Sequence, residues 1–379
     1  MIVRMMRASD RPDPGSMSGL HIEGDTPHGT GRAMSRLRER LRALDLEPDV
    51  ETATDGAGFT ARLPPQAARA WAPGFDTTGL HACLCHGDAL DAEREIVAAL
   101  LLSPIPMVFP SVEEFEAQLR IRIDTVNAAR ATALEFDCDE RRPDDCWRRD
   151  DDGRFVLRPG CPLIDALRRA TQPGDAPRPY AFGCYRATEY VMLLAIATEA
   201  ARSHPALLER LQRRYERRPI QSREFHESLL HEHGTSETPL PPRWLVPGDR
   251  VWFRNPHEAS SDVEGYEGSW VIYKGGGRFG NFWQRGRPYT LTRKCIEVYH
   301  WRHAVVADPD GRARIDEDEV ERRVAATLAD PDETAAVLAR MQRLRDLRGV
   351  YAEGGCIDRT RESARWVLPE HCDIALADA

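Results

Sequence analysis

Phe115, Leu119, Ile123 and Val126 recur at helical spacing behind Ser111, an N-cap residue with Glu114 three positions on. That pattern predicts a long amphipathic helix running to about Ala133. Asp91 to Leu102 predicts another, ended by Ser103-Pro-Ile-Pro106 because proline disfavours helical geometry in itself and in its predecessor. Arg32 to Leu46 reads as a short basic helix, Val50 to Leu63 as a strand pair around Asp55-Gly56, and Cys161 to Ala170 as a short helix. Cys184, Ala187, Val191, Leu194 and Ala195 then fall on one stripe, the pattern of a helix buried along its length. Trp244 to Pro256 and Gly268 to Gly275 read as two strands. Residues 203–243 read as an exposed helix plus an irregular connection, and Tyr299-His-Trp-Arg-His303 as a half-buried strand. Glu317 to Leu347 predicts two helices broken at Asp330-Pro331, before a glycine-rich return over 351–358. No internal repeat is visible.

The first 30 residues carry no apolar period and are expected to be a disordered leader. A boundary near the 103–106 prolines divides an accessory α/β region, 31–105, from a main domain, 106–379. With 379 residues, 41% of them hydrophobic, the chain can fill a real core. Its 52 basic and 61 acidic residues give a net charge of −9, which argues against a nucleic-acid partner. No apolar run approaches the length needed to cross a bilayer, so no membrane association is expected. The start lacks a secretory pattern and the nine cysteines show no tidy spacing, so a cytoplasmic protein with reduced thiols is expected. Nothing in the sequence sets the oligomeric state.

Tyr180-Ala-Phe-Gly-Cys184 reads as a tight turn delivering one cysteine to the first turn of the buried helix. Unpaired N–H groups and the helix dipole there favour the thiolate, so the placement predicts a nucleophile that needs no metal or cofactor. A helix-borne cysteine facing a small antiparallel sheet is a papain-like, α+β layout. The nucleophile needs a proton partner, and Glu267 is the chosen carboxylate, expected to be buried between Tyr266 and Trp270 with its pKa raised toward neutrality. Asn281 is a candidate orienting group, and His300 or His303 an alternative base. Tyr185, Tyr266, Ser269, Trp270 and Trp283 are expected to wall the substrate cleft. The G-x-G-x-x-G string in Gly275-Gly-Gly-Arg-Phe-Gly280-Asn281 opens no amphipathic helix and reads as a glycine-rich hairpin, not a dinucleotide site. His81-Ala-Cys83-Leu-Cys85-His86 offers four possible zinc ligands, but spaced too tightly for paired knuckles and with no second pair following, so no metal is expected. Cys138 and Cys146 would pair only under oxidising conditions.

The order of these motifs resembles bacterial protein-glutamine gamma-glutamyltransferases of the spore-forming type, small papain-like transglutaminases related in broad fold to cell-wall peptidases. The likeness runs from Phe109 and the Ser111 helix through Trp147, Phe155 and Pro162 to Ala166. It continues in Tyr180-Ala-Phe-Gly-Cys184, Pro247-Gly-Asp-Arg-Val-Trp-Phe-Arg-Asn-Pro256 and Tyr266-Glu-Gly-Ser-Trp-Val-Ile-Tyr273. The resemblance implies acyl transfer from glutamine side chains to lysine or other primary amines through a thioester on Cys184, with glutamine- and lysine-bearing proteins as substrates. Where the family carries glutamate before its cysteine this chain has Gly183, and where it carries its main catalytic glutamate the alignment gives Ser269. The acid/base partner is therefore open between a displaced Glu267 and a changed chemistry. A thiol peptidase, amidase or deamidase of the same fold, or a non-catalytic interaction module, remain the alternatives.

Overall fold

The computed structural model describes residues 18–376 except 25, 55, 57, 138, 175–177, 285 and 353. It is a mixed α+β structure organised on two four-stranded sheets. The first contains β1 (Leu20–Glu23), β2 (Glu51–Thr54), β3 (Gly58–Arg62) and β4 (Met107–Phe109) in the order β2-β3-β1-β4, with β1 parallel to β4. The 31–105 region thus builds its sheet around Leu20–Glu23, inside the expected leader. Residues 1–17 and Cys138 lie outside the described residues. Helix α1 (Pro27–Ala43) starts earlier than its apolar pattern suggests, because Thr26 caps it through Gly29 N–H. Helices α2 (Asp91–Leu101) and α3 (Val112–Ala131) match the sequence reading, and the Ser111 hydroxyl accepts from Glu114 N–H as expected of an N-cap. Phe115 and Leu119 of α3, with Trp244 and Val246, join the core beneath the first sheet, so residues on both sides of the expected 103–106 boundary share one hydrophobic cluster.

The second sheet carries the site. Its strands β5 (Leu230–His233), β6 (Arg250–Arg254), β7 (Gly268–Ile272) and β8 (Arg361–Ala364) run antiparallel in the order β7-β6-β8-β5. In the β6–β7 register, Trp252 faces Trp270 and Phe253 faces Ser269. Side chains alternate across a strand, so Val251, Phe253 and Val271 enter one core while Trp252 and Trp270 face the opposite side. That core is closed by helices α8 (Leu291–His300), α9 (Glu317–Ala329) and α10 (Pro331–Met341), whose Ile296, Val324 and Met341 are buried. The other face meets α5 (Cys184–Ser203), packed between α3 and α4 (Leu163–Thr171). Helix α5 is buried all round between Ala187 and Ala197, so the single stripe expected for it widens to the whole circumference. Helices α6 (Pro205–Arg217) and α7 (Ser222–Leu229) follow, and α7 leads directly into β5.

Three readings change. Of residues 203–243, the expected helix is α6, but the connection after it is not irregular throughout, since α7 and β5 lie within it. Tyr299–His303 is the end of α8 and a following 3-10 turn, not a strand. β8 was not foreseen: Arg361-Glu-Ser-Ala364 lacks apolar alternation, and its buried polar side chains are satisfied from other elements, Glu362 by Arg250 and Ser363 by His233.

Candidate active site

Ala181 and Phe182 pair in parallel with Glu135 and Phe136, and this short ladder aims the chain into α5. Gly183 is the N-cap, in extended backbone and with no capping side chain, and Cys184 opens the helix. Two backbone N–H groups point at the half-buried Cys184 sulfur, one from Trp270 on β7 and one from Tyr185. Burial pushes the thiol up; the Trp270 N–H, the Lys294 ammonium, the Tyr185 N–H and the Arg250 guanidinium oppose it without cancelling it. The helix tip alone therefore does not offset the desolvation of the thiol.

Cys184 lies where two cavities meet. The larger, 580 Å³, is walled by Tyr185, Trp252, Trp270 and a set of charged groups. The indoles of Trp252 and Trp270 stack at 5.1 Å, and Tyr185 packs edge-on to Trp270. The Arg250 guanidinium lies 4.0 Å from the Trp270 ring centre and 4.3 Å from that of Tyr185. Arg250 is fully buried; its Nε donates to Thr188 Oγ1 on α5 and its Nη1 to Glu362 Oε2 at 2.7 Å. Glu362 Oε1 in turn lies 2.8 Å from His226 Nδ1, and His226 Nε2 lies 3.3 Å from Glu232. The hydrogen bond to Glu362 holds the His226 imidazole above its ordinary pKa. Burial pushes Glu362 up, but Arg250 and then His226 outweigh it and leave its carboxyl below the usual range.

The second cavity, 190 Å³, shares Phe136, Cys184, Gly265 and Gly268 with the first. Ser269 enters it, as its register opposite Phe253 requires. So does Lys294 of α8, which is buried and donates to Glu297 Oε1 at 2.7 Å. The ammonium also lies 3.8 Å from the Tyr289 ring centre. Across the cavity Tyr266 donates its hydroxyl hydrogen to Glu317, whose carboxyl is raised by burial.

A family model described as protein-glutamine gamma-glutamyltransferase matches residues 83–300, more than half of the 379-residue chain. The chain belongs to that family. Membership implies acyltransferase chemistry on protein glutamine and lysine side chains in general. A solved structure of transglutaminase from Geobacillus stearothermophilus, without its C-terminal extension, is 18% identical, with 56% of this chain and 98% of that chain covered and a TM-score of 0.36. Among curated proteins no match is found. The gamma-glutamyltransferase match spans Cys184, His226, Ser269 and Lys294, and stops before Glu317 and Glu362.

Within this chain the residues chosen from sequence separate. Cys184, Tyr185, Glu267 and Trp270 wall the larger cavity, and Tyr266, Ser269 and Trp283 the smaller. Glu267, expected to be buried, is exposed on the rim, because it stands at the mouth of β7, where its carbonyl accepts from Asn255 N–H and its side chain turns to solvent. Asn281 walls neither cavity. Its Nδ2 donates to the Arg287 carbonyl and its Oδ1 accepts from Gln284 N–H, so its amide closes the 281–287 loop instead of orienting a catalytic group. His300 also walls neither cavity; it pairs with Thr327 Oγ1 on α9, and burial depresses it to about 4. The groups missed were Lys294, Glu297, His226 and Glu362. Only the pairing of a lysine with a glutamate three residues on, Lys294 and Glu297, left a local signal.

Proposed function

We propose that Cys184 is the nucleophile of a papain-like acyl transfer from protein glutamine side chains to lysine or other primary amines. The observation that carries this is the position of the sulfur at the junction of two cavities, beneath the Trp270 and Tyr185 N–H groups. The sulfur adds to the carboxamide carbon, and those two N–H groups receive the developing oxyanion. The C–N bond then breaks and ammonia departs, leaving a thioester. An amine adds to it, the C–S bond breaks, and the product is an isopeptide.

The proton traffic is assigned to the Lys294–Glu297 pair. The ammonium gives a proton to the leaving nitrogen and recovers one from the Cys184 thiol, while Glu297 balances its charge. In the second half the pair takes a proton from the attacking amine and returns it to the sulfur. Glu267, on the rim with Glu232 and Asp358, is placed to draw a cationic amine into the larger cavity instead. Residues 31–105 are an accessory unit in this reading.

A second reading, a binding module with an idle thiol, draws on the raised Cys184 and on Ser269 replacing the family glutamate. One experiment separates the two. The protein is incubated with a glutamine-rich acceptor protein and a fluorescent primary amine, and incorporation dependent on Cys184 supports the enzyme. Equal incorporation by Cys184→Ala, or none by either protein, rejects it; ammonia release without incorporation identifies a deamidase.

A further inference from the structure

The histidine–cysteine string His81 to His86 has no role in acyl transfer, and its missing partner lies nine residues beyond its end. His81 and Cys85 stand on and just after the short helix Leu80–Leu84, and Glu95 reaches them from α2. One donor atom from each of the three lies within 4.8 Å of the others. His81 Nδ1 is 3.8 Å from Glu95 Oε2, close to the roughly 3.4 Å expected between two ligands about 2.1 Å from a tetrahedral ion.

The carboxylate is held ready. Glu95 is 3% exposed and accepts from Gly276 N–H and from the Tyr273 hydroxyl. The turn that grips it is possible only with glycine: residues 275–277 all have positive φ, and a Cβ at 275 would lie 2.6 Å from Glu95 Oε2. Carboxylates that ligate metals are typically fixed by such hydrogen bonds. His81 is exposed and Cys85 half-buried, its thiol donating to the Asp91 carbonyl at 3.6 Å, and solvent can fill a fourth position. The other cluster of this kind, His226, Glu232 and Glu362, is already neutralised by Arg250 and contains no sulfur.

We propose that His81, Cys85 and Glu95 bind one divalent transition ion of the zinc class, tying the Leu80–Leu84 helix to α2 and to the turn that leaves β7. A nitrogen, a thiolate and a carboxylate suit zinc or cobalt better than magnesium or calcium, which prefer oxygen alone. As the sulfur–metal bond forms, the Cys85 thiol proton passes to solvent.

The test titrates the metal-stripped full chain with Co²⁺ and follows the sulfur-to-cobalt charge-transfer absorption. One ion per chain is expected, displaced by equimolar Zn²⁺. Cys85→Ser should abolish the band and His81→Ala should weaken binding on the order of 10-fold or more, whereas Cys83→Ser and Cys184→Ala should change neither. Glu95→Gln should also weaken binding; because Glu95 supports a turn, the two less buried variants decide the matter. No band, a band that survives Cys85→Ser, or one lost in Cys184→Ala would overturn the proposal.

Discussion

Lys294 Nζ lies 2.7 Å from Glu297 Oε1 inside the cavity that the Cys184 sulfur also walls. The ammonium lowers the cost of ionising a thiol that burial has raised, and it does so from the side of the sheet that Ser269 faces. A cation from α8 thus enters the same cavity as Ser269 and Cys184.

Lys294→Met should move the pH profile of Cys184 alkylation by iodoacetamide to higher pH and lower acyl transfer about 10²–10⁴-fold. Because the wild-type thiol is itself raised, its alkylation should climb with pH through and beyond the ordinary thiol range. Glu267→Gln should act mainly on the KM for a cationic amine. A large fall in kcat for Glu267→Gln, with Lys294→Met near wild type, would reverse the assignment.

Glu362→Gln should destabilise the fold by about 3–5 kcal/mol, because it leaves the Arg250 guanidinium buried without its counter-charge. Urea denaturation reads this directly. A loss below about 1 kcal/mol would mean that Arg250 finds another partner.

The same ion pair sets a pH window. His226 is raised in the fold, so its contribution is complete below its unfolded pKa of about 6.5 and fades as pH rises through the folded value. Glu362 is lowered, so its contribution is complete above its unfolded pKa of about 4.3 and fades as pH falls through the folded value. Denaturation midpoints should therefore fall off on both sides of that range, and His226→Gln should remove the alkaline limb.

Gly183→Glu should fold normally. An added Cβ meets no atom within 4 Å, the backbone there is extended, and an acidic group near a helix N-terminus contributes about 0.3–1 kcal/mol. Thermal denaturation at or above the wild-type midpoint is expected. A clear drop would show that glycine is required at this turn.

Much of the frame could be read from the chain. Ser111 and its spaced apolar partners gave α3 to within a few residues, and Asp330-Pro331 marked the break between α9 and α10. Cys184 stood out because a turn followed by a buried apolar helix is a local pattern. Its surroundings were not local. Lys294 reaches it through the packing of α8 on β6, and Glu362 through a strand whose four residues, three of them polar, carry no alternation. Glu267 was misjudged for the same reason: flanking aromatic residues do not bury a carboxylate at the end of a strand, where the side chain turns outward.

Intact-protein mass spectrometry after brief exposure to a glutamine-containing peptide, quenched in acid, tests the central claim most directly. The account predicts an adduct of peptide minus ammonia, mapped to Cys184 and discharged by an added primary amine. A protein that stays unmodified while Cys184 is accessible to iodoacetamide, or an adduct that persists in Cys184→Ala, would contradict it.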